Sequence, residues 1–117
     1  MSYIRDTLTW VTCYNPAKKM TKHNRLNFYS PTVIKSDGSI IAGRIFAAWA
    51  SLLSNGPRRI TLTGDYGWIE GESPESGKYS AIKADRDEVV ERFKRVANFS
   101  RRVVESRNDL FILHLGI

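Results

Sequence analysis

Residues 85–115 read DRDEVVERFKRVANFSRRVVESRNDLFILHL, and the way this stretch divides decides the fold. Its first part carries a helical period. Val89, Phe93, Val96, Ser100 and Val103 fall on one stripe, joined by Val90, Ala97 and Val104, within an arc of roughly 140°. Asp85 is placed as the N-cap, with Glu88 three helical positions on, a capping-box arrangement whose acids suit the helix dipole. Asn108-Asp109 closes the helix. Residues 110–115, LFILHL, are then almost continuously apolar, the pattern of a strand buried on both faces and central in a sheet.

Upstream of the helix, residues 58–72 (RRITLTGDYGWIEGE) and 78–83 (KYSAIK) predict a hairpin across the turn ESPESG. Gly64 and Gly67 mark a bulge or tight bend in its first strand. Ile41, Ile45, Ala48, Trp49 and Leu52 recur at helical spacing, which predicts a helix from about Ala42 to about Leu53, stopped by Ser54-Asn55-Gly56-Pro57. Ahead of it, Asp37-Gly38 between apolar runs is a hairpin signal, although Asp37 or Ser39 could also cap a helix. The hairpin tip is the favoured reading.

The N-terminal third predicts strands. Residues 3–14 alternate apolar and polar positions and are rich in β-branched and aromatic side chains. Asn15-Pro16 ends that strand, because proline lacks a donor. Residues 15–24 are polar and aperiodic and read as a loop, with one or two helical turns after Pro16. Residues 25–29 alternate again and predict a second strand, broken at Ser30-Pro31. The expected class is α+β: a single mixed or antiparallel sheet of four to six strands with two helices packed on it. At 117 residues the chain, 1–117, is expected to be one domain.

Charge is distributed unevenly. The net charge is +6. Residues 1–58 hold Arg5, Lys18, Lys19, Lys22, Arg25, Lys35, Arg44 and Arg58 against Asp6 and Asp37, so the whole excess lies there. Half of these cations stand between Lys18 and Arg25, with His23 and no acid among them. Tyr14 precedes this run, and Phe28 and Tyr29 follow it. An asymmetric field of this kind favours an anionic partner. Clustered cations beside aromatic faces suit phosphates and stacked bases. The expected binding residues are therefore Tyr14, Lys18, Lys19, Lys22, His23, Arg25 and Tyr29. The alternative for this segment is a solvated basic loop whose flanking aromatics belong to the core.

Secondary candidates follow. Tyr66 and Trp68, between glycines, form a possible binding loop or a bulged strand packed in the core. Arg101 and Arg102 would extend the basic surface if the helix end lies near residues 18–25, while Glu88–Arg92 and Glu91–Arg95 at i,i+4 suggest a solvated face. Asp65, Glu70 and Glu72 with Lys83 are the weak carboxylate set of a metal-dependent enzyme, at no defensible spacing. Cys13 and His114 could pair as nucleophile and base only on adjacent strands. Two histidines and one cysteine are too few and too scattered for structural zinc.

A single cysteine, no long apolar run and no signal-peptide pattern at the start lead to the expectation of a cytoplasmic protein without a membrane span. The function expected is non-enzymatic, with no cofactor: a basic loop over residues 14–29 binding nucleic acid or a nucleoprotein. The alternative is a small inhibitor or adaptor, of the size of phage and mobile-element proteins, which occupies an acidic or nucleic-acid-binding site on a larger protein.

Overall fold

The computed structural model describes residues 2–27 and 30–115. The expected α+β class is the observed one. The elements are a 3-10 turn (Ser2–Ile4), α1 (Arg5–Leu8), β1 (Thr12–Asn15), β2 (Thr21–Asn24), β3 (Thr32–Ile34), α2 (Ser36–Leu53), β4 (Arg59–Gly67), β5 (Lys78–Asp85), α3 (Arg86–Glu105) and β6 (Ile112–His114). The six strands divide between two sheets. One is four-stranded and antiparallel, in the order β2-β1-β3-β6; the other is the β4–β5 hairpin.

The segment 3–14 departs most from expectation. Only Thr12 to Asn15 is strand; residues up to Leu8 are helical, and a turn over residues 9–11 joins the two. The apolar positions satisfy both periods, and burial selects the helical one. Ile4, Leu8 and Val11, at i, i+4 and i+7, are all buried, whereas Trp10 is exposed. The Thr7 hydroxyl donates to the Ile4 carbonyl and the Thr9 hydroxyl to that of Asp6, closing the turn locally. Trp49 donates its indole N–H to Thr7 Oγ1 at 3.1 Å, which ties this turn to α2.

Asp37-Gly38 is not a hairpin tip. It lies in the first turn of α2, which therefore begins before Ala42. The glycine serves close approach rather than a positive φ: a Cβ at Gly38 would lie 2.0 Å from the Thr12 carbonyl oxygen. The α2 start is thus seated directly on β1. The buried side of α2 is Ala42, Ile45, Phe46, Ala50 and Leu53, a stripe rotated from the expected one, since Ala48 and Leu52 are exposed.

The α3 helix is as expected except that Val104, placed on its apolar stripe, is exposed. Asp85 Oδ1 accepts from the Asp87 and Glu88 amides at 2.9 and 3.2 Å, and Val89, Val90, Phe93, Ser100 and Val103 are buried. The helix ends at Glu105, with Arg107 and Asn108 in the left-handed region. α2 and α3 pack together through Phe46 and Phe93, whose rings lie 5.6 Å apart, and Tyr3 packs on both Trp49 and Phe93.

The β4–β5 hairpin is also as expected. Its register shifts between Thr63 and Tyr66, where Gly64 passes so close to Ser80 that a Cβ would lie 2.1 Å from its hydroxyl oxygen. Strand β6, by contrast, is not central. It pairs only with β3 among the described residues and forms one edge of the four-stranded sheet, with Leu113 and Leu115 exposed. The molecule measures 49 × 36 × 18 Å, so it is flat and about two layers thick.

Candidate binding surface

Residues 15–24, expected as a loop, form the turn and the second strand of an antiparallel hairpin. β1 and β2 pair Thr12 with Asn24, Cys13 with His23, Tyr14 with Lys22 and Asn15 with Thr21. Pro16 opens one 3-10 turn to Lys18, as its fixed φ suits, and Asn15 Oδ1 accepts from the Ala17 amide at 3.0 Å. Lys19 and Met20 then take positive φ (54° and 58°) to reverse the chain. The Thr21 hydroxyl donates to the Lys18 carbonyl across the turn. Arg25, at φ 110°, leaves the strand while its amide donates to the Val11 carbonyl. Non-glycine residues hold such conformations only where their surroundings over-determine them. The cations therefore sit on a defined scaffold. Residues 25–27 are not strand, and Phe28 and Tyr29 lie outside the described residues.

Alternation sorts the hairpin's side chains. Cys13 and His23 share the core-facing side; Tyr14 and Lys22 share the other. His23 is half-buried, with Nε2 2.9 Å from Asn27 Oδ1, and so does not join the exposed cations. Lys18, Lys19, Lys22 and Arg25 are all exposed. None of them enters an ion pair among the described residues.

Tyr14 is not a free stacking platform. Its hydroxyl donates to Asp37 Oδ2 at 2.6 Å, and Lys35 Nζ stands 4.4 Å from its ring centroid. The hydrogen bond to Asp37 raises the Tyr14 pKa above the usual phenol value. Lys35 is the cation that sequence reasoning left out of this surface. It lies 13 residues beyond Lys22 in the chain, and β1–β3 pairing through Tyr14 and Val33 is what brings it here.

The other candidates lie elsewhere. Arg101 donates to Asn98 Oδ1 at 2.6 Å and pairs with Glu105 at 3.9 Å; with Arg44 it flanks a groove of about 530 Å³ between α2 and α3. Arg102 borders a hollow of about 310 Å³ beside Phe99 and residues 110–113. α3 contacts β6, at the sheet edge opposite β2, and near its C-terminal end the Val103 carbonyl accepts from Ser36 Oγ, beside Lys35. The ion pairs of α3 are Arg86–Asp87 and Arg101–Glu105, not Glu88–Arg92 or Glu91–Arg95.

Tyr66 and Trp68 are exposed on the β4–β5 hairpin rather than packed in the core. They cluster with Tyr79, at ring distances of 6.2 Å (Tyr66–Trp68) and 5.0 Å (Tyr66–Tyr79). Asp65 is paired with Arg5 at 3.0 Å, Glu70 and Glu72 are exposed on the turn, and no set of three metal-ligating side chains gathers among the described residues.

Cys13 and His114 are not on adjacent strands, because β3 lies between β1 and β6. Burial pushes the Cys13 thiol up to about 11 and lowers the His114 pKa. Among the described residues no helix is long and apolar enough to cross a membrane. Comparison with protein-family models, with curated proteins and with solved structures finds no match.

Proposed function

We propose that the β1–β2 hairpin binds a polyanionic partner, nucleic acid or a nucleoprotein, through Lys18, Lys19, Lys22 and Arg25, with Lys35 beside them. One observation carries the reading: these cations cluster, exposed, on a hairpin of defined backbone geometry, and among the described residues none of them forms an ion pair. Four unpaired cations can displace condensed counterions from a phosphate chain. Because Tyr14 is engaged by Asp37 and Lys35, base stacking on it is not part of the reading. Binding then runs through phosphates and tolerates sequence.

The test is titration of labelled single-stranded and duplex DNA and RNA at low ionic strength. The reading expects binding to all of them that weakens steeply with salt. Absence of binding at low salt overturns it. A second reading, an inhibitor or adaptor that sets the same basic edge against an acidic protein surface, draws on the exposed cluster of Tyr66, Trp68 and Tyr79, residue types that anchor protein interfaces. A stoichiometric protein partner retained after nuclease treatment, together with no nucleic-acid binding, distinguishes it.

A further inference from the structure

The sheet edge opposite the basic hairpin carries the opposite chemistry. Residues 110–115 contain no lysine, arginine, proline or acid, the devices by which edge strands resist pairing. Phe111, Leu113 and Leu115 are 59, 51 and 75 % exposed, and alternation along β6 puts them on one side. Phe99 and Leu110 adjoin them, 43 and 47 % exposed, around the hollow of about 310 Å³.

We propose that this edge is a self-association surface, on which a second copy of the chain adds its own β6 antiparallel to the first. The pattern is self-complementary about Leu113. A two-fold axis there sets Leu113 against its counterpart and Phe111 against Leu115 of the other copy, the isologous arrangement of a closed dimer. The five exposed side chains present roughly 500 Å² per copy, against about 800 Å² per partner in a standard interface. The strand backbones and the neighbouring Val104 and Arg102 supply the remainder.

Charge permits this pairing. Each copy carries +6, but the Lys18–Arg25 cluster stands at β2, three strands away, and Arg102 is the cation that borders this hollow. In a joined eight-stranded sheet the two β2 edges lie roughly 34 Å apart at the usual strand spacing, several screening lengths at physiological salt.

The experiment is sedimentation velocity on the full chain, with cross-linking. The wild type is expected at twice 13.3 kDa. Leu113→Lys and Leu115→Glu are expected as monomers with unchanged far-UV circular dichroism, the dimer Kd rising at least about 100-fold. Leu115 is so exposed that Leu115→Glu cannot fail by unfolding the core. Leu113→Cys is expected to form a disulfide-linked dimer under mild oxidation, and Leu52→Cys, on the exposed side of α2, is not. Cys13 stays out of the reaction because it is buried. A monomeric wild type overturns the proposal. So does a dimer that survives both charge variants or cross-links through Leu52→Cys.

Discussion

The two edges of the four-stranded sheet share one hydrogen-bonded framework and differ in almost every side chain. β2 reads Thr-Lys-His-Asn and is preceded by two residues at positive φ; it is exposed, polar and cationic. β6 reads Ile-Leu-His and is flanked by Leu110, Phe111 and Leu115; it is exposed and apolar. Lys22 within the strand and the cations around it protect β2 from pairing with another strand, whereas β6 itself carries no lysine, arginine or acid. The comparison teaches that exposure alone does not define a site. Exposed cations without acids suit an anion, while an exposed apolar edge suits another edge.

The seat of α2 against β1 is the tightest backbone approach in the sheet's support, so the largest effect is expected there. Gly38→Val forces a side chain into the Thr12 carbonyl, where only backbone can yield. A loss of about 3 kcal/mol or more in urea unfolding is expected, with anion binding and self-association both impaired. A variant as stable as wild type would show that the two edges are not anchored through this contact. The edges themselves should separate under charge reversal. The triple change Lys18→Glu, Lys19→Glu and Lys22→Glu is expected to weaken nucleic-acid binding at least about 100-fold at low salt and to leave sedimentation unchanged. If both properties fall together, the edges are coupled and the comparison breaks.

How much of this was legible in the residues varies by element. α3 was legible because its apolar stripe, its Asp85 cap and its arginine face agree. The β4–β5 hairpin was legible through its alternation and its glycine bulge. β2 was not, because an exposed edge strand leaves no apolar alternation: only His23 among its four residues is even half-buried. Residues 3–8 satisfied two periods at once, and packing of Ile4 and Leu8 into the core selected the helix. Gly38 misled because glycine serves both turns and close contacts, and only the tertiary approach of Thr12 tells them apart. β6 misled in the opposite sense: a continuous apolar run reads as buried, yet nothing among the described residues covers Leu113 and Leu115. The cations of residues 18–25 were plain in the sequence. The engagement of Tyr14 by Lys35 and Asp37 was not, since it spans 21 and 23 residues of chain.

Smaller effects probe the core beneath the hairpin. Cys13 has its pKa raised to about 11 from 9.0 by burial. The unfolded thiol therefore ionises first as pH rises. The thiol's contribution to stability is complete below about 9 and lost as pH rises through about 11. Unfolding free energy should decline across that window, and less so in Cys13→Ala once its lower baseline is subtracted. A decline of equal size in Cys13→Ala assigns the alkaline limb to other groups. The smallest effect is expected for Tyr14→Phe, which removes an exposed hydrogen bond to Asp37. It should leave stability nearly unchanged and nucleic-acid affinity unchanged, because the bond is exposed and the ring is not taken to stack on bases. A large loss of affinity would restore Tyr14 as a contact residue.

The salt dependence of duplex DNA binding, taken for three proteins, separates the hairpin from α3. These are the wild type, the Lys18/Lys19/Lys22→Glu variant and an Arg101/Arg102→Glu variant. Each phosphate neutralised contributes about −0.9 to the slope of log K against log salt. The hairpin variant is expected to lose about three contacts' worth of slope, and the α3 variant to keep the wild-type slope within about one contact. The opposite outcome, a slope carried by Arg101 and Arg102 and indifferent to the hairpin lysines, would contradict it.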